Sequence, residues 1–164
     1  IKGFFAYTDA DLRDSLPKAI YHLKVREAVA DTWDDGRPRL NISTEVVSGD
    51  LAGQFGPRHT WSLGDFEGTT ADGRTFKRSA ADNIKTLVKG VMAVRAGKKL
   101  GLTDASDYGA GMLAEIASQI QGDEFYARVG VDKAGYGRIA RIYAITDPPK
   151  GMATPPVADD SFTL

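Results

Sequence analysis

PKAIYHLKVREAVADTWDDGRPRLNISTEVV, residues 17–47, decides the fold. In its first half Tyr21, Leu23 and Val25 alternate with His22, Lys24 and Arg26, the period of two expected of a strand with one apolar face. In its second half Leu40, Ile42, Thr44 and Val46 alternate with Arg39, Asn41, Ser43 and Glu45. Between them lies DTWDDGRPR, whose Asp35-Gly36 is the strongest hairpin signal in the chain. The stretch predicts an antiparallel pair, opened by Leu16-Pro17.

Working outward, SGDLAGQFGPR (48–58) is a Gly-rich connection, and HTWSLGDF (59–66) reads as a third strand. Residues 64–78 read as a polar loop ending in GRTFKR. Ser79 is then an N-cap with Asp82 three residues on, a short-chain variant of the capping box. Ile84, Leu87, Val88, Val91 and Met92 follow at helical spacing, and Gly97 is a natural stop. A second helix over 107–121 carries Leu113, Ile116 and Ile120 and ends at Gly122. Two strands follow, EFYARVGV (124–131, with Phe125, Ala127, Val129 and Val131 inward) and GRIARIYAI (137–145), joined by the DKAGY hairpin. Pro148-Pro149 closes the folded part. Residues 1–16 read as an irregular arm anchored by Phe4-Phe5, and 150–164 as a tail. No internal repeat is seen. Three strands, a helical insertion between strands 3 and 4, and two more strands predict an α+β, mainly β domain over 17–149. Its expected form is a five-stranded Greek-key barrel of the oligonucleotide/oligosaccharide-binding (OB) type.

The 164 residues fit one domain, with 42% hydrophobic and 26% charged residues, ordinary for a globular protein. There is no cysteine and only two histidines, so neither a thiolate nor a multi-histidine metal centre is expected. No apolar run reaches the roughly 20 residues of a membrane helix, and no secretory signal is evident. Net charge is −1, from 21 Lys+Arg against 22 Asp+Glu. Bulk attraction to nucleic acid is therefore weak, and any such binding must use a local basic groove.

The chain has no GxxxxGK[ST] loop, HExxH helix or GxSxG elbow. GYGRIA resembles GxGxxG superficially, yet it opens a strand-like segment where that motif must open a helix. Asp34-Asp35 and Asp159-Asp160 read as turn formers and solvated charge, and His22 and His59 as strand or surface residues. A non-enzymatic protein without a cofactor is expected; a small hydrolase or nuclease with an unrecognised carboxylate site is the least favoured reading.

Binding residues are better represented. If the first two strands are neighbours, the faces carrying His22, Lys24, Arg26, Arg39 and Asn41 merge into one basic patch, which Arg128 would extend. Lys and Arg also populate ordinary solvated sheet faces, so the patch gains weight from aromatics at the loops. Trp33 lies beside the first hairpin, Phe76 precedes Lys77 and Arg78, and Tyr136 tips the last hairpin before Arg138. Rings that stack on bases, with cations beside them for the phosphates, are what single-strand binding requires. Trp61 alternates with His59 and Leu63 and reads as core, while Phe55 and Phe66 could be plugs pinning long loops.

The runs LPKAIYHLKVREA, DDGRPRLNISTEVVSGDLAGQ and GDEFYARVGVDKAGYGRIARI, across roughly residues 16–149, resemble a family of bacteriophage single-stranded DNA-binding proteins. The resemblance implies an OB-type fold, protection of single strands in phage DNA replication or recombination with little sequence preference, and the cytoplasm of a bacterial host. It supplies no residue-by-residue binding signature. The tail ADDSFTL weakly resembles the acidic, aromatic-ended tails through which such proteins recruit replication or recombination partners. Oligomeric state is left open. The competing expectation is a phage structural or assembly protein making protein–protein contacts.

Overall fold

The protein is described by a computed structural model covering residues 3–6, 16–133 and 135–150. β1 (Ala19–Thr32) and β2 (Pro38–Val46) form the expected antiparallel pair, from Leu23 opposite Val46 to Thr32 opposite Pro38. The turn is a three-residue loop in which the Trp33 N–H donates to the Arg37 carbonyl at 2.9 Å. Gly36 closes it with φ of 87°, a conformation glycine adopts without steric cost. Then come β3 (His59–Ser62), β4 (Phe66–Thr69), β5 (Thr75–Arg78), α1 (Ala80–Arg95), α2 (Ala110–Ile120), β6 (Glu124–Val131) and β7 (Gly137–Ala144). The chain is α+β. Five strands make one antiparallel sheet in the order β3-β2-β1-β6-β7, and β4 pairs with β5 as a separate ribbon.

The sheet is curled. β3 and β7 are its opposite edges, yet a Cβ placed on Gly137 would lie 3.5 Å from Pro57, just ahead of β3. Two bulges contribute to the bend. On β1, Val25 faces Thr44 while Glu27 faces Ser43, so Arg26 is the extra residue. On β7, Ile139 faces Val129 while Arg141 faces Arg128, so Ala140 is extra. Each bulge sets two exposed residues in succession (Arg26 and Glu27, Ala140 and Arg141) and moves the next inward position three residues on, to buried Ala28 and half-buried Ile142.

Leu23, Val25, Leu40, Ile42, Val46, Phe125 and Val129 point from the sheet onto Leu87, Val91 and Val94 of α1 and Leu113, Ile116 and Ile120 of α2, and all are buried. Burying a side chain of this size is worth roughly 1.5–3 kcal/mol. Trp61 belongs to this core, with 3% exposure, and its indole lies flush against α1: a Cβ on Gly90 would come within 2.6 Å of it. Ser79 caps α1 by accepting from the Asp82 N–H at 3.1 Å, and Asp65 accepts from the Ala80 N–H at 2.8 Å. At the other end the buried carboxylate of Asp123 meets Arg95 at 2.9 Å and Lys98 at 2.7 Å, tying α1 to the start of β6. Where β1 runs past β6, the side chain of Gln121 substitutes for a strand. Its amide accepts from the Ala28 N–H at 3.3 Å and donates to the Ala28 carbonyl at 3.0 Å.

Several expectations are corrected. Residues 64–78 are no loop but contain the β4–β5 ribbon, and the third strand stops at Ser62. Val88 and Met92 are 41% and 57% exposed, because α1 buries Asn83, Leu87, Val91 and Val94 instead. Val131 is likewise exposed, at the last paired position of β6. Phe4 and Phe5 stack edge-to-face on each other and are 86% and 95% exposed, so they are not anchored on the described residues of the body. His22 is not on an open basic face: it is buried, with Nε2 2.7 Å from Glu124 and its ring against Tyr126. The GYGRIA segment enters β7, a strand, as its position implied. Most of the arm and all but Lys150 of the tail lie outside the described residues.

Candidate functional site

Two clefts share a wall at β3. The first, of about 730 Å³, is lined by Arg26, Arg39, Arg58 and Arg138, with Asn41, Ser43 and Thr60 between them and Glu27 and Asp31 at the side. Four guanidinium groups against Glu27, Asp31 and the Asp132 carboxylate that pairs with Arg138 at 2.9 Å leave this surface basic on a chain whose net charge is −1. The bulge places Arg26 here, its guanidinium 4.3 Å from the Phe55 ring. Among the described residues neither Arg26 nor Arg58 has a carboxylate at ion-pair distance. Arg39 is held differently. Its Nε donates to Asp31, and Asn41 donates to the same carboxylate at 3.2 Å. Thr60 in turn donates to Asn41 at 2.7 Å. The Arg39 hydrogen bond is the main cause holding the Asp31 carboxyl below its usual range.

The second cleft, of about 600 Å³, is mostly apolar: Trp33, Trp61, Phe66 and Phe76 line it with Arg37, Arg78, Asn83 and Thr86. Cations and rings alternate along its rim. Arg39 lies 4.2 Å from the Trp33 ring centroid, and Arg37 lies 5.8 Å from Trp33 and 4.5 Å from Phe66. Phe66 and Phe76 are 5.8 Å apart. His59 and Thr60 line both clefts. The His59 ring packs edge-on against Trp61, and burial pushes its pKa down to about 4, so it is uncharged near neutral pH.

Of the residues singled out in the sequence, Arg26, Arg39 and Arg138 meet in the first cleft, and Trp33, Phe76 and Arg78 in the second. Tyr136 is 46% exposed at the tip of the β6–β7 hairpin, its ring centroid 6.0 Å from Arg138. Three residues fall elsewhere. Lys24 sits 3.9 Å from Glu45, Arg128 reaches the Tyr143 hydroxyl at 3.3 Å, and Lys77 lies on the outer side of the ribbon with Asp65 and Glu67.

Arg37, Arg58, Phe66 and Asn83 complete the clefts and were not among the candidates. Phe66 counted only as a plug and Arg58 as connection. The missed signal is Asp72-Gly73, which repeats the chemistry of Asp35-Gly36. The Thr70 N–H donates to the Arg74 carbonyl at 2.7 Å, and Gly73 has φ of 87°. Among the described residues no group of three or more His, Cys, Asp or Glu is placed to hold a metal ion, and no helix is long and apolar enough to cross a membrane. The sequence matches no protein-family model and none of the curated proteins compared with it.

Proposed function

We propose that this protein binds single-stranded DNA with little sequence preference, protecting single strands in phage DNA replication or recombination. The observation that carries the reading is the junction of the two clefts, arginines on one side and aromatic rings on the other. Phosphates would lie along Arg26, Arg39, Arg58 and Arg138, and bases would face the ring-lined cleft. A duplex hides its bases, so only an unpaired strand can use both halves. The curled sheet supports an OB-type barrel left open at the β3/β7 seam, since strand order β3-β2-β1-β6-β7 is what such a barrel would show when unrolled there.

The test is a titration of single- and double-stranded oligonucleotides at several salt concentrations. Binding should favour the single strand. Its logarithm should fall with log salt by about 0.7 per phosphate contacted, or about 3 if all four arginines engage. Equal affinity for duplex, or no response to salt, would refute the reading. Phe4 and Phe5, almost fully exposed, favour a second reading as a structural or assembly protein. That reading expects salt-insensitive self-association and no strand binding, so the same titration separates the two.

A further inference from the structure

We propose that the cleft between the Trp33 hairpin and the β4–β5 ribbon is a pocket for one unstacked nucleobase bearing an exocyclic amino group. The inference rests on the single-strand reading and adds a preference within it. Its volume, about 600 Å³, lies in the range of small-ligand pockets, roughly 300–1,000 Å³, and exceeds what one ring needs. Trp33, Phe66 and Phe76 are 38%, 36% and 37% exposed, so each offers part of its ring to the cleft.

The decisive side chain is Asn83. It is 8% exposed, yet it lines the cleft. Its Nδ2 donates to the Gly64 carbonyl at 2.6 Å, which fixes the amide and forbids a flip. Oδ1 is then the atom left over, and no described residue donates to it. Oδ1 is open to the cleft, so water meets it until a donor enters, and a base donor would replace that water in a mostly apolar setting. The amino group of cytosine or adenine supplies that donor, whereas thymine presents a carbonyl at the corresponding position and would set oxygen against oxygen. Arg78, exposed at the cleft, is placed for the phosphate of the same nucleotide.

The test is fluorescence anisotropy of the full chain with labelled oligo(dC) and oligo(dT) of equal length. Oligo(dC) should bind about 2- to 10-fold more tightly, the range of one hydrogen bond. Asn83→Ala should erase that difference by weakening oligo(dC) alone. Because Asn83 also holds Gly64, this variant could fail to fold. Phe76→Ala, at an exposed ring, is the second arm and should weaken both oligonucleotides about tenfold. The pocket requires both the dC preference and the Phe76 effect, and the lack of either overturns it. If Arg58→Ala still weakens both strands equally in that case, the single-strand interface stands without the pocket. No binding of either strand removes both readings.

Discussion

Trp33 and Tyr136 are both hairpin aromatics beside arginines, but their rings are differently engaged. Trp33 is stapled: Nε1 donates to Ser62 at 2.8 Å and Arg39 already covers the ring. Tyr136 is fixed through its backbone, its N–H donating to Asp132 Oδ1 at 2.9 Å, and the other oxygen of that carboxylate holds Arg138 Nε at 2.9 Å. With 46% of the residue exposed, Tyr136→Ala should cost little stability. It should weaken single-strand binding by about 1–3 kcal/mol, leaving the salt slope unchanged. Arg138→Ala should weaken binding and flatten the slope by about 0.7, since a phosphate contact goes. Anisotropy titrations across salt distinguish the two, and a Tyr136→Ala chain that unfolds would place the ring in the core. The glycines around Tyr136 made this exposure legible. The bulge at Ala140, which turns Arg141 to the same side of β7 as Arg138, was not, because residues three apart share a strand face only when a bulge intervenes.

At the scale of elements, what local chemistry dictates was readable and what tertiary contact dictates was not. Alternation and Asp35-Gly36 were enough for β1 and β2, and Ser79 for the start of α1. The β4–β5 ribbon escaped because Phe66–Thr69 and Thr75–Arg78 are each four residues long and mostly exposed, so they carry no alternation. The face of α1 was misjudged by one position because Asn83, a polar residue, is buried for its bond to Gly64 while Met92 faces out. Gly90 is where α1 meets the sheet. Alanine there would gain up to about 1 kcal/mol of helix propensity, but its Cβ would sit within 2.6 Å of the Trp61 indole. Overpacking of that kind costs about 1–3 kcal/mol, and Trp61 is walled in by core. Gly90→Ala should therefore lower the urea midpoint with an unchanged m-value, and a stabilised variant would show that the indole has room to move.

For the whole molecule, acid is the condition that should distinguish this fold. The folded pKa of His59, about 4, lies below the ordinary 6.5, so protons bind the unfolded chain first as pH falls. Its contribution is intact above about pH 6.5 and drains between 6.5 and 4, by at most about 3 kcal/mol. Asp31, Asp35, Asp72 and Asp104, whose carboxyls are all held below the usual range, add losses of the same sign at still lower pH. Melting temperature should fall from pH 6.5 to 4.5 in the parent chain and stay nearly level in His59→Gln; parallel curves would mean that His59 titrates normally. The curl that brings β7 round to His59 depends on residues that pair with nothing. Remove Arg26 and the ladder still closes, because Glu27 already faces Ser43 and Ala28 faces Ile42; what is lost is the bend and one of the groove's cations. One extra residue, neutral for pairing, is thus enough to bend the sheet towards a cradle and to supply one of that cradle's arginines.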